Sequence, residues 1–182
     1  MPRLTLIGYR GTGKSTVAAA LARRLGCGWQ DADAVLEERL GTSIARLVRE
    51  RGEPVFRDEE SEVLGRLLAE CDGVLATGGG VVLRPHNREL LRAHGRPIVW
   101  LTASADVIRG RLAADPTTVD RRPGLSGADP LAEVAGALEI REPLYRQCAD
   151  VAFDTGALAV DEVVARIVAW LGERGEGERA PA

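Results

Sequence analysis

The stretch Gly8-Tyr9-Arg10-Gly11-Thr12-Gly13-Lys14-Ser15-Thr16 constrains this chain more than any other. It fits the pattern Gly-x-x-x-x-Gly-Lys-Ser and follows an apolar run, Leu4–Gly8, that reads as a buried strand. After it, Val17, Leu21 and Leu25 recur at four-residue spacing and Gly26 closes the run, the marks of a helix. A strand, a glycine-rich turn and a helix N-terminus gather backbone N–H groups and the positive end of the helix dipole around one point. That arrangement binds phosphate. Lys14 is the single lysine among 24 basic residues. A compact ammonium bridges β- and γ-phosphates in a narrow loop where the flat arginine fork does not fit. The hydroxyl of Ser15 suits Mg²⁺. The candidate loop residues are Gly11, Thr12, Gly13, Lys14, Ser15 and Thr16.

The loop implies nucleotide binding without fixing an activity. An Asn-Lys-x-Asp guanine-reading motif is excluded, because the chain has no second lysine. Neither Gly73–Thr77 nor Pro97–Thr102, both strand-like, ends in the aspartate that would hold a metal. The next strand candidate is Trp29-Gln30-Asp31-Ala32-Asp33, and it carries Asp31 and Asp33. Residues two apart on a strand share a face, so both carboxylates would point into the crevice at the strand ends. One could hold a metal through water and the other a substrate hydroxyl. Taken alone, Asp-Ala-Asp reads rather as a cap for the following helix.

Gly78-Gly79-Gly80 lets a backbone approach a ligand closely, or is merely a flexible turn. Arg57 and Arg141 lie in helical stretches and could grip a carboxylate bidentately, though surface ion pairing is the default for any one arginine. Arg121-Arg122 lies in a long Pro/Gly/Asp-rich stretch that suits a lid closing over phosphates, or a solvated loop.

With 182 residues the chain should form one domain, and its net charge of −3 gives no case for a nucleic-acid surface. Three scattered cysteines without a Cys-x-x-Cys pair suit a reducing compartment, and no apolar run approaches a membrane span. The expectation is a cytoplasmic protein. Strands alternate with helices along the chain, which predicts an α/β fold with a mainly parallel sheet. Pro54 suits the first turn of a long helix, Pro143 should interrupt the helix that follows the long loop, and the tail from residue 173 should fray.

The ordered set GYRGTGKST, DAD, FRDEE, GGG, RRP and REPLYRQCAD resembles the shikimate kinase family, from Leu4 to about Asp154. The phosphate loop is widely shared, whereas the FR-x-x-E, GGG and R-x-PLY pieces are specific. The resemblance implies a phosphate-loop fold of the nucleoside-monophosphate-kinase-like type. Its parts would be a five-stranded parallel sheet flanked by helices, a mobile lid at about 116–130, a single domain over 1–172 and a tail over 173–182. It implies transfer of the ATP γ-phosphoryl group to the 3-hydroxyl of shikimate with Mg²⁺, on the route to chorismate and the aromatic amino acids. It also implies a monomer.

Residue by residue, Lys14 is similar to the family's phosphate-bridging lysine and Ser15 to its metal ligand. Asp31 matches the acid that holds the metal through water, and Asp33 the acid on the substrate hydroxyls. Arg57 and Arg141 match the carboxylate clamp, Gly78, Gly79 and Gly80 the turn beside the ring, and Glu60 an acid near the substrate. Arg122 matches the lid arginine and Arg109 an arginine near adenine. The chain departs from the family in having Pro123-Gly124-Leu125 where Pro-Leu-Leu is usual, with Arg121 beside Arg122. The R-x-PLY and FR-x-x-E pieces weigh against a gluconate kinase but do not separate shikimate from quinate. The alternative outside enzymes is a nucleotide-binding regulatory module.

Overall fold

A computed structural model of the chain describes residues 1–114 and 134–177. Five strands form one parallel sheet in the order β2-β3-β1-β4-β5. They are β1 (Leu4–Ile7), β2 (Trp29–Asp31), β3 (Val74–Ala76), β4 (Ile98–Thr102) and β5 (Val151–Asp154). The helices between them are α1 (Lys14–Leu25), α2 (Ala32–Leu40), α3 (Ile44–Arg51), α4 (Glu53–Glu70), α5 (Pro85–His94), α6 (Ala105–Ala114), α7 (Val134–Cys148) and α8 (Val160–Gly177). The loop after β1 lies at the point where the strand order reverses, which is where an open parallel sheet forms its ligand crevice.

Side chains alternate across the sheet and so build two cores. Leu4, Leu6, Val74, Val99 and Leu101 pack beneath α1 and α8, while Ile7, Leu75, Ile98 and Trp100 pack beneath α2 to α5 and α7. Each fully buried Leu or Ile contributes about 1.5–3 kcal/mol over its exposed state. These two layers hold the C-terminal ends of β1, β2 and β3 rigidly beside one another, and the site is built there.

Helix starts follow the local chemistry. Ser43 accepts from Arg46 N at the start of α3, and Pro54 stands in the first turn of α4. One expectation fails. The helix α7 runs through Pro143 without a break. Proline there removes one backbone hydrogen bond at a cost of about 3 kcal/mol. Burial offsets that cost, because Tyr145 and Cys148 on the next turn are in the core and the Tyr145 ring stacks on Trp100 at 5.8 Å. At the other end, α8 runs from Val160 to Gly177 and packs on the sheet through Val163, Val164 and Ile167. The expected lid, with Arg121 and Arg122, lies outside the described residues.

Candidate active site

The loop between β1 and α1 turns on glycines with positive φ, and Gly8 shows why one is needed. Its φ is 143°, and a Cβ there would overlap the carbonyl oxygen of Leu101 on β4. Lys14 is buried and folded back over the loop, with Nζ donating to the carbonyls of Gly8 (2.8 Å) and Tyr9 (2.9 Å). These contacts hold the ammonium over the loop's mouth, where phosphate oxygens would replace the carbonyls.

The pair Asp31 and Asp33 does not sit on a strand face as the alternation argument required. The helix α2 begins at Ala32, so Asp31 is its N-cap and Asp33 is in its first turn. Asp31 Oδ1 accepts from the backbone N–H of Asp33 (3.0 Å) and Ala34 (3.4 Å). Its Oδ2 accepts from Ser15 Oγ at 2.5 Å. Capping and site-building are therefore the same act: the cap fixes Asp31, and its second oxygen meets the phosphate loop. Asp33 turns instead toward the glycine run. A Cβ on Gly78 would come within 2.8 Å of Asp33 Oδ1 and 2.7 Å of Glu60 Oε1.

Beside the loop lies a cavity of about 470 Å³. Arg57, Glu60, Gly79, Gly80 and Arg141 line it together with Tyr9, Arg10 and Glu53. Ile44, Val48, Phe56 and Ile140 give it apolar walls. Its central cation is Arg57 on α4, whose Nη1 pairs with buried Glu60 at 2.7 Å and whose Nε and Nη2 reach Glu53 Oε1 at 3.1 and 3.0 Å. The Phe56 ring lies 4.7 Å beneath its Cζ. The Arg57 guanidinium also abuts Gly80, where a Cβ would overlap Nη1. From the far side Arg141 on α7 lies 5.1 Å over the Tyr9 ring and approaches Gly79 O at 3.4 Å. Tyr145 hydroxyl donates to the same carbonyl. Burial pushes the Tyr145 phenol well above its ordinary value, so it stays a donor. A Cβ on Gly79 would lie 3.0 Å from Arg10 N, so the glycine run packs directly against the phosphate loop.

Two arginines of α6 differ in their partners. Arg109 is partly exposed and pairs with Asp106 on its own helix. Two residues on, Arg111 is the arginine that reaches the loop, donating to Gly11 O and Thr155 Oγ1 at 3.1 Å each and also to Thr155 O. Sequence reasoning passed over Arg111, Arg10, Glu53 and Tyr145. The spacing of Glu53, Arg57 and Glu60 at i, i+4 and i+7 on one helix was a signal that could have found Glu53.

A phosphate loop at the switch point of a five-stranded parallel sheet, packed against a guanidinium-lined cavity, defines a small-molecule phosphotransferase of the nucleoside-monophosphate-kinase-like fold. The family model described as shikimate kinase matches residues 10–172, and the chain belongs to that family. A shikimate kinase of Rhodopirellula baltica is 42% identical over 165 residues, which cover 91% of this chain and 88% of that protein. The solved structure of a shikimate kinase from Acinetobacter baumannii in complex with shikimate superposes with a TM-score of 0.85 at 32% identity, covering 94% of this chain and 93% of that one. A shikimate kinase from Aquifex aeolicus follows at a TM-score of 0.76 and 29% identity, covering 97% of this chain and 99% of that one.

Proposed function

We propose that this chain transfers the γ-phosphoryl group of ATP to the 3-hydroxyl of shikimate, giving shikimate 3-phosphate and ADP on the route to chorismate and the aromatic amino acids. The observation that carries this reading is the contact of the two half-sites. The glycine run that backs the Arg57/Arg141 cavity packs on the backbone of the phosphate loop at Arg10. A ring acid held in that cavity by its carboxylate is thereby brought against the loop that holds the nucleotide.

Phosphoryl transfer requires chiefly positioning and charge neutralisation. Arg57 and Arg141 orient the acceptor through its carboxylate. Asp33, beside Gly78, accepts a hydrogen bond from the acceptor hydroxyl and aligns it for attack. Lys14 draws charge from the transferring phosphoryl oxygens, and the family resemblance gives Arg122 the same task. Ser15 Oγ beside the loop, with Asp31 Oδ2 2.5 Å behind it, suits Mg²⁺ held by the hydroxyl directly and by the carboxylate through one of the waters the ion retains. Bound there, Mg²⁺ would neutralise the β- and γ-phosphates. Among the described residues no helix is long and apolar enough to cross a membrane. The family resemblance supports a cytoplasmic monomer.

The test is ADP release from ATP and Mg²⁺ with shikimate, quinate, gluconate or nucleoside monophosphates as acceptor. Release with shikimate that vanishes in Lys14→Ala and in Arg57→Ala is the expected result. Release with quinate or gluconate instead would move the substrate, and nucleotide binding without acceptor-dependent release would indicate a regulatory module.

A further inference from the structure

Arg57 is embraced on every edge of its guanidinium plane. A Cβ built on Gly80 lies nearer both Nη atoms than Cζ, which is 2.6 Å away, so the Nη1/Nη2 end of the fork abuts the glycine backbone. The outer side of Nη1 belongs to Glu60, at 2.7 Å. The remaining edge, Nε with Nη2, is taken by Glu53 Oε1 at 3.1 and 3.0 Å. An incoming carboxylate that is to be gripped bidentately has to use this third edge.

The two glutamates are not equivalent. The Glu60 side chain is 6% exposed, so it has no route into water and holds its side of Arg57. The Glu53 side chain is 39% exposed and stands in the first turn of α4, at the cavity wall. It can swing into water and be rehydrated at little cost. Its place at the positive end of the helix dipole keeps its charge favourable when it does so.

We infer that Glu53 is a stand-in for the substrate carboxylate: it holds the Nε/Nη2 edge of Arg57 in register and yields that edge when the acceptor's carboxylate arrives, so that acceptor binding is a carboxylate exchange. This rests on the proposed reading that the acceptor is a carboxylate-bearing ring such as shikimate. Glu53 is thus a positioning residue that also sets affinity. It keeps the fork from rotating toward solvent and lowers the net affinity for any acid by the strength of its own pair.

The experiment is equilibrium binding of shikimate to the full chain and to Glu53→Gln and Glu53→Asp. Gln removes the charge. Asp keeps it at the helix start but is one methylene too short to hold both nitrogens. Both variants should bind shikimate about two- to fivefold more tightly, the range of a partly exposed ion pair. The Kd for ADP should not follow, and an analogue with an alcohol in place of the carboxylate should show no gain. A merely structural role for Glu53 would weaken binding. Unchanged or weaker shikimate binding in both variants, with shikimate bound by the parent chain, would overturn the exchange alone. An equal gain for the alcohol analogue would overturn it too. No shikimate binding by the parent chain would remove the underlying reading and the exchange with it.

Discussion

The two halves of the site are made of different material. The phosphate half is backbone: one contiguous turn of glycines, with Lys14 laid over carbonyls of its own loop. The half proposed to bind the acceptor is side chains from α4 and α7, tied into ion pairs and aromatic contacts with a glycine run after β3. A backbone site tolerates any neighbour that leaves the turn intact. A side-chain site depends on each partner, so its binding and its folding energy are the same interactions.

That contrast can be broken most sharply at Lys14. Lys14→Arg keeps the charge but not the point geometry, and kcat should fall about 10²–10³-fold while shikimate affinity by titration stays near that of the parent chain. Near-normal turnover would mean the loop does not discriminate the two cations. Arg57→Met should behave in the opposite way. It removes the buried Arg57–Glu60 pair, so the protein should lose about 3 kcal/mol of stability in denaturant titration, and KM for the acceptor should rise about 100-fold. A stable variant with high KM would separate binding from folding and undo the contrast.

Smaller effects refine it. Tyr145→Phe should cost about 1 kcal/mol and raise acceptor KM several-fold, because the carbonyl of Gly79 loses its buried donor. The same variant gives a pH test. The folded phenol is raised above its ordinary 10.0, so unfolded chains ionise first. The parent protein should therefore keep this stability below about pH 10 and lose it progressively above. In Tyr145→Phe that part of the alkaline loss should be absent. Smallest is Arg111→Ala, expected to weaken ADP binding about fivefold through the lost ties to Gly11 and Thr155, without a change in acceptor affinity.

The same division decides what could be read from the sequence. The phosphate loop was legible because its function lies in contiguous residues whose spacing is their geometry. The alternation of strands and helices gave the parallel sheet for a similar reason. Asp31 and Asp33 were placed near the loop, but by a strand argument that fails, since the helix starts at Ala32 and not after Asp33. Pro143 read as a break because its cost is local, whereas the burial of Tyr145 and Cys148 that outweighs it is not. The contact of Arg111 with the loop was not legible, because it depends on the return of Thr155 after β5, far along the chain. On the acceptor side, the partners of Arg57 were visible as spacing on α4, but its contact with Gly80 crosses from another element.

That contact has an evolutionary consequence. Every amino acid that a single base change can place at position 80 carries a Cβ, and a Cβ there collides with the Arg57 guanidinium. The position is closed to drift as long as the clamp is needed. The apolar walls at Ile44, Val48 and Ile140 are where the cavity's volume can be exchanged without disturbing its charge.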